Sequence, residues 1–140
     1  MPQTTLRLST KGPGLYDFTP DAVHFVAREA DGEGLLTCFV RHTSCSLLIQ
    51  ENADPDVRRD MDEFFRRLVP HSDEPSMAWL RHTTEGPDDM PAHIKAALTA
   101  TSVSIPVTNG RLALGTWQGL YLFEHRDHPH ERQVLLHLSA

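Results

Sequence analysis

The stretch LLTCFVRHTSCSLLI, residues 35–49, decides the architecture of this chain. Its first six residues form a continuous, mostly apolar run with β-branched residues of both parities, which is typical of a strand covered on both faces. Residues 46–49 predict a second strand. The polar tetrapeptide 41–44 interrupts this buried β structure, and side chains at a strand end are held in place while remaining accessible. The tetrapeptide is therefore the first candidate for a functional site.

Elements of both kinds lie on either side of this stretch. Three segments carry apolar residues at helical spacing, and Asp88 or Asp89 is expected to cap the third helix. Most of the chain after residue 101 predicts strands, with Asn109-Gly110 as a hairpin turn. The patterns predict an α+β fold: a single compact domain over residues 1–140, with three helices and a mixed or antiparallel sheet of about six to seven strands.

The composition argues against a nucleic-acid-binding or membrane protein. The chain has 140 residues, 13 basic and 19 acidic, and a formal net charge of −6 at pH 7, which argues against broad binding to nucleic acid or to an anionic membrane. No apolar run approaches the ~18–20 residues of a membrane span, and residues 1–10 lack the apolar centre of a signal peptide. Cys38 and Cys45 lack metal-binding spacing and are interpreted as small buried residues of a reducing compartment. We expect a cytoplasmic protein with neither nucleic acid nor membrane as its partner.

Nine histidines are the unusual part of the composition. His42 ends the first buried strand, His93 lies at the edge of the third helix's apolar stripe, and His82 lies in the long polar loop before that helix. Catalytic zinc uses three protein ligands and one open position, so these three are candidate metal ligands if they converge. The alternatives are a histidine bonded to a turn, one on an exposed helix face and one in a solvated loop.

Glu124 is the most informative carboxylate. In an uninterrupted strand it shares parity with Leu120 and Leu122, so it points toward an apolar side and needs a partner. Arg132, which opens the next strand, is a plausible one. A structural ion pair and a pocket carboxylate both remain open.

The common catalytic motifs are absent. The chain contains no GxGxxG, GxxxxGK[ST], GxSxG or HExxH. Dinucleotide-binding, P-loop, hydrolase-elbow and zincin functions therefore have no motif support.

The polar segments, taken in order, resemble the YjbQ-like family, often described as secondary thiamine-phosphate synthases. The matching segments are HTSCSL at 42–47, ENADP at 51–55, RDM at 59–61, EGPDDMPAHIK at 85–95, GTWQG at 115–119, EHR at 124–126, and Arg132. The match covers nearly the whole chain and is far more specific than any single motif. Ala100 replaces a glycine that is common after the third helix, a change at the level of packing.

This resemblance implies a compact α+β domain that assembles as a homotrimer, with sites near subunit boundaries. It also implies a thiamine-phosphate synthase-like transfer, in which a hydroxymethylpyrimidine diphosphate is joined to a thiazole phosphate and diphosphate is released. The ligand would be a small phosphorylated or polar molecule. The alternatives are a metal- or small-ligand-binding trimer with another physiological role, and a metal-assisted hydrolase.

Departure of diphosphate requires neutralisation of its charge by a cationic side chain, a metal or a helix N-terminus. Lys95, Arg132 and the start of the third helix are candidates, and the two aspartates with nearby histidines could hold a divalent ion, Zn²⁺ or Mg²⁺.

These observations give one hypothesis for the site. We expect the catalytic groups His42, His93 and Glu124 to share one pocket. The predicted metal ligands are His42, His82 and His93. The predicted substrate-binding residues are Thr43, Ser44, Glu51, Lys95, Gln118 and Arg132.

Overall fold

A computed structural model describes residues 1–140, which form eight strands and three helices. The strands are β1 (Gln3–Thr10), β2 (Gly14–Asp17), β3 (Gly34–Val40), β4 (Cys45–Glu51), β5 (Ser102–Thr108), β6 (Arg111–Leu112), β7 (Gln118–Glu124) and β8 (His130–Ser139). The helices are α1 (Thr19–Glu29), α2 (Pro55–Leu68) and α3 (Asp89–Leu98), with one short 3-10 turn at Pro75–Met77.

The strands form two antiparallel sheets. The larger has the order β1-β8-β3-β5-β6 and the smaller the order β2-β7-β4. The predicted α+β class with three helices is confirmed, but there are eight strands in two sheets rather than about six to seven in one. The polar tetrapeptide 41–44 explains the difference, because it carries the chain from β3 in the larger sheet to β4 in the smaller one.

The main core lies between the two sheets and is completed by α1. Cys38 on β3 and Cys45 on β4 are both fully buried there as free thiols, on opposite sides of the chain's crossing between the sheets. The apolar run 35–40 alternates in burial, because β3 faces the core on one side only. The other core residues include Phe18, Phe25, Leu36, Leu47, Ile105, Leu120, Leu122, Val134 and Leu136.

The helices α2 and α3 lie on the smaller sheet. The ring of Phe65 on α2 meets the ring of Phe123 on β7 edge to face, with centroids 5.3 Å apart. α3 lies against β4. No helix has both the length and the apolar character that a membrane span requires.

The start of α3 differs from the sequence prediction in a way that shapes the site. Asp88 precedes the helix but makes no side-chain cap to it. Its carboxylate instead accepts hydrogen bonds from Arg126 Nε at 2.7 Å and from the Asp127 amide at 2.9 Å. Asp88 therefore ties α3 to the loop between β7 and β8, and Asp89 begins the helix.

Candidate metal centre

Three side chains converge at the start of α3. Asp89 and His93 are four residues apart, which places them on the same helix face, and His82 comes from the preceding loop. Asp89 Oδ2 lies 2.7 Å from His82 Nε2 and 3.2 Å from His93 Nε2. The three potential ligand atoms all lie within 4.8 Å of one another.

His93 is oriented from behind by the polar tetrapeptide. Its Nδ1 lies 2.8 Å from the carbonyl oxygen of Thr43. A carbonyl oxygen can only accept, so Nδ1 carries the hydrogen and Nε2 faces Asp89. A histidine that binds a metal through one ring nitrogen usually donates the N–H of the other to a carbonyl or carboxylate, so His93 has the orientation of a metal ligand.

Asp89 is the buried member of the cluster, with a side chain that is 5% exposed. Burial alone would raise the pKa of Asp89, but the hydrogen bond with His82 and the charge of Arg126 outweigh it and hold that pKa below its usual value. Arg126 Nη1 lies 2.8 Å from Asp89 Oδ1, the oxygen that does not face the histidines. The carboxylate is therefore ionised, as a metal ligand must be.

His82 lies on the open side of the cluster. Its Nε2 is 2.9 Å from Glu85 Oε2 as well as 2.7 Å from Asp89 Oδ2. The hydrogen bond with Asp89, assisted by the charge of Glu85, raises the pKa of His82. The side chains of His82 and His93 are 43% and 32% exposed, so the cluster is accessible from solvent.

The predicted ligand His42 does not join this cluster. Its Nε2 accepts a hydrogen bond from the Gln133 amide at 2.8 Å, which joins the end of β3 to β8. Burial, followed by the charge of Arg132, lowers the pKa of His42 and keeps the ring a neutral acceptor. Asp89 is therefore the third potential ligand at this site, and His42 links the end of β3 to β8 instead.

Glu124 and Arg132 form a buried ion pair beside the tetrapeptide. Arg132 Nε donates to Glu124 Oε1 at 2.8 Å, and Arg132 Nη2 donates to the other carboxylate oxygen and to Ser44 Oγ at 3.0 Å. Thr10 Oγ1 also donates to Glu124 Oε1 at 2.6 Å. Burial would raise the pKa of Glu124, but the bonds from Arg132 and Thr10 lower it. Both charged groups are satisfied within the chain, which is the pattern of a structural pair.

His125 is a second fully engaged group in this region. Its ring lies 4.4 Å from the Phe123 ring, and its Nε2 is 3.0 Å from Ser46 Oγ. Burial lowers the pKa of His125 to about 3, so the ring stays neutral. It packs against residues of the smaller sheet and is not part of the group formed by His82, Asp89 and His93.

Two predicted substrate-binding residues lie at the other end of the smaller sheet. Glu51 and Gln118 pair with each other across β4 and β7, whereas Glu124 pairs with Cys45 at the opposite end. Six residues of strand separate the two ends, a distance of about 20 Å. Within one chain, these side chains are outside any pocket formed by His93 and Glu124.

Both residues accept hydrogen bonds from the backbone of a neighbouring turn. Glu51 Oε2 accepts from the amides of Ala53 and Asp54 at 3.0 and 2.9 Å, just before α2. Gln118 Oε1 accepts from the Gly115 amide at 2.8 Å and closes the turn before β7.

Of the remaining predicted residues, only Thr43 contacts the group formed by His82, Asp89 and His93. Thr43 contributes its backbone carbonyl and Ser44 contributes its hydroxyl to Arg132. Lys95 follows His93 by two residues, so it lies about 160° away around α3. It is 7% exposed and lines a different cavity.

The donor set fits a transition metal. Two imidazoles and one carboxylate form a known catalytic zinc set, with a fourth position left for water or substrate. Magnesium prefers an octahedral shell of oxygen ligands, so Zn²⁺ fits this site better than Mg²⁺. A zinc ion there would polarise a bound oxygen or lower the pKa of a bound water.

Asp89 was predicted to cap the third helix, or to hold a divalent ion together with Asp88 and nearby histidines, but it was not among the three named metal ligands. The signal that identifies it is the spacing Asp89-x-x-x-His93, which aligns a carboxylate and an imidazole on one helix turn. Arg126 was recognisable only as part of the EHR segment. Its role depends on the approach of the β7–β8 loop to α3, which no local pattern reports.

Residues 4–140 match the family described as "UPF0047 protein YjbQ-like". The chain is 53% identical over 138 residues to UPF0047 protein sll1880 of Synechocystis, covering 99% of this chain and 91% of that protein. It is 42% identical over 139 residues to UPF0047 protein YjbQ of Escherichia coli O157:H7, covering 99% and 97%.

Solved structures show the same fold. A YjbQ/UPF0047 family protein of Clostridium acetobutylicum has a TM-score of 0.84 at 33% identity, with 96% of this chain and 98% of that chain covered. The hypothetical protein APE1520 of Aeropyrum pernix has a TM-score of 0.86 at 28% identity, with 99% and 98% covered.

Proposed function

The chain belongs to the UPF0047 YjbQ-like family, and we propose that it acts on a small phosphorylated ligand at a zinc site formed by His82, Asp89 and His93. One observation carries the proposal: two imidazole nitrogens face the same buried carboxylate oxygen, at 2.7 and 3.2 Å. His93 Nδ1 is committed to the Thr43 carbonyl, so Nε2 and Asp89 Oδ2 would oppose each other as two acceptors unless a cation or a proton lies between them.

The charge balance of the site supports an anionic ligand. Arg126 already neutralises the outer oxygen of Asp89. A divalent ion bound by one carboxylate and two neutral imidazoles retains a net positive charge, which favours a phosphate or diphosphate oxygen at the open position. Glu85, beside His82, offsets part of this charge. The exposed sides of His82 and His93 provide the access such a ligand requires.

The reaction we propose is the transfer implied by the family resemblance. A hydroxymethylpyrimidine diphosphate is joined to a thiazole phosphate, and the bond to the diphosphate group breaks as diphosphate leaves. The site neutralises the charge of the departing diphosphate, and neighbouring residues of the chain hold the metal ligands in position. His93 is held by Thr43 and Asp89 by Arg126, so both ligands are fixed before the substrate arrives.

The test is formation of thiamine phosphate from the two purified substrates by the untagged protein loaded with zinc. We expect turnover in the wild-type protein and in His24→Ala, because His24 lies exposed on α1 away from the cluster. We expect loss of turnover in His93→Ala. Equal turnover in wild type and His93→Ala would refute a role for this site in the reaction.

The second candidate is a metal-assisted hydrolase. It is favoured by the open side of the cluster, since three protein ligands leave a position for a water molecule. Release of inorganic phosphate from a phosphate ester, without transfer to a thiazole, would identify this activity. The same pair of variants, His93→Ala and His24→Ala, separates it from a contaminant.

We also propose that the working unit is a homotrimer. The larger sheet supports an oligomer, because the apolar side chains of Leu35 and Phe39 on β3 are 39% and 45% exposed. Burial of such side chains between subunits would stabilise an oligomer. Size-exclusion chromatography with light scattering measures the mass of the assembly, and a monomer at working concentration would refute the homotrimer.

A further inference from the structure

A cavity of about 470 Å³ lies beside α2 and α3, away from the metal cluster. Its charged and titratable lining comes from Arg66, His71, Glu74, Lys95 and Asp127. Lys95 is on α3 about 160° around the helix from His93, so the two sites use different faces of the same helix.

Lys95 is the unusual group in this cavity. Its residue is 93% buried, since only 7% of its surface is exposed, and its side chain makes no hydrogen bond or ion pair within the chain. Every side-chain nitrogen or oxygen that is fully shielded from solvent has a hydrogen-bond partner. The ammonium group of Lys95 therefore reaches solvent through the cavity that it lines.

The carboxylates around Lys95 already contact other side chains. Asp62 accepts from Arg66 Nε at 3.1 Å, Asp127 contacts His71 Nε2 at 2.9 Å, and Asp88 accepts from Arg126 at 2.7 Å. Lys95 thus has no counter-ion in contact. Burial lowers the pKa of Lys95, as expected for a cation without a direct partner. A buried cation of this kind gains most from an anion that enters the cavity.

Arg66 supplies a second cation to the same space. Only its Nε is used, by Asp62, so both terminal nitrogens of the guanidinium retain free donors. A planar guanidinium matches the oxygens of a phosphate group, and a lysine ammonium adds a point charge. Two carboxylates that line the cavity oppose them: Glu74 makes no ion pair, and Asp127 contacts only His71.

We propose that this cavity binds a phosphate group, with Lys95 and Arg66 as the cations that hold it and with Glu74 and Asp127 as the carboxylates that limit its affinity. The site needs no metal, so it is independent of the proposed zinc chemistry. It would accept either free phosphate or the phosphate group of a small ester.

The chain offers a direct probe, because its only two lysines are Lys11 and Lys95. Protein labelled with ¹³C at the lysine ε-carbon gives two side-chain signals. We expect the Lys95 signal to shift saturably as inorganic phosphate is added in the presence of a chelator, with no such shift in sodium chloride of equal ionic strength. The exposed Lys11 is the internal control. Equal, unsaturated shifts of both lysines, or no shift of either, would overturn the proposal.

Variants test the roles of the individual residues by calorimetry with inorganic phosphate. Lys95→Met should lower the affinity at least about tenfold, as expected for loss of a charge-assisted bond in a buried site. Lys11→Met should leave it unchanged. Arg66→Gln should weaken binding and Glu74→Gln should strengthen it. Unchanged affinity in Lys95→Met would refute the site, and weaker binding in Glu74→Gln would refute the assigned charge balance.

Two further arms identify the ligand and keep the result separate from the zinc site. Binding of methyl phosphate at least as tight as that of phosphate would assign the cavity to phosphate esters, and binding of phosphate alone would assign it to the free ion. His93→Ala should bind phosphate as the wild type does under chelation. Loss of phosphate binding in that variant would overturn the assignment to Lys95, whereas lack of thiamine-phosphate formation would leave it intact.

Discussion

The Nδ1 atom of His93 lies 2.8 Å from the carbonyl oxygen of Thr43. This contact joins α3 to the polar segment between β3 and β4, and it fixes which nitrogen of His93 faces Asp89. A backbone acceptor cannot be removed by changing a side chain, so the orientation of His93 depends on the chain's path between the two sheets.

Zinc binding is the first prediction. His82→Ala, Asp89→Asn and His93→Ala each remove one ligand atom, so each should weaken zinc binding by more than the roughly 10–100-fold that loss of an outer-shell partner causes. His24→Ala should bind zinc as the wild type does. Competition with a chromophoric chelator measures the affinity. Stoichiometric zinc in all three cluster variants would rule out this site.

The second prediction concerns the buried pair of Glu124 and Arg132, whose side chains are 0% and 5% exposed. Arg132→Met leaves the carboxylate buried without its cation and should lower the free energy of unfolding by about 3–5 kcal/mol. Adding Glu124→Gln should recover part of this loss, because the unpaired charge is then removed. Urea unfolding of the two single variants and the double variant measures the coupling.

Simple additivity in that cycle would contradict a structural pair. An exposed pair provides the control, since Arg59 and Asp60 have side chains that are 74% and 71% exposed. The corresponding change Arg59→Met should alter the free energy of unfolding by less than about 0.5 kcal/mol.

Acid sensitivity is the third prediction, and it follows from His125. The pKa of His125 is lowered from 6.5 to about 3, so between these values the unfolded chain binds a proton that the folded chain does not. The free energy of unfolding therefore falls as the pH drops below 6.5, by about 1.4 kcal/mol per pH unit from this group, until the pH nears 3.

The comparison that isolates this term is the pH dependence of urea unfolding in His125→Gln and His24→Gln. The glutamine at 125 keeps a hydrogen-bonding group near Ser46 but does not titrate, so the stability curve should be flatter between neutral pH and pH 5. His24→Gln should keep the wild-type slope. An unchanged slope in His125→Gln would show that another group dominates the acid limb.

Thiol reactivity provides a fourth prediction. Cys38 and Cys45 are fully buried, and burial raises the pKa of each thiol to about 12. Only the thiolate reacts, so neither should be modified by a disulfide reagent in the folded protein, and both should react in denaturant. Rapid modification of one thiol under native conditions would show that the region between the sheets opens locally.

Local patterns in the sequence predicted the elements well because those patterns are set by neighbouring residues. The spacing of apolar residues predicted three helices, and the parity of Glu124 with Leu122 predicted a carboxylate directed toward the core. The division into two sheets was not predictable in this way. It depends on pairing between strands far apart in sequence, such as β1 with β8.

The same distinction applies to the site. His93 stands out because it lies at the edge of an apolar helix stripe. His42 stands out equally, yet its Nε2 is taken by the Gln133 amide, 91 residues away in the chain. Asp89 was predicted to cap the helix, because an aspartate before an apolar helix favours that role, and it was also one of two aspartates that could hold a divalent ion. The approach of Arg126 to Asp88 and Asp89 gives both carboxylates a tertiary role instead.

The position of β8 has a consequence for biosynthesis. β8 lies between β1 and β3 in the larger sheet, yet it is the eighth of the eight strands to leave the ribosome. Until residues 130–139 emerge, β1 has no neighbour and β3 lacks the strand on one side. The sheet must therefore close after translation of this region, and nascent chains stalled before residue 130 would display unpaired strand edges to chaperones and proteases.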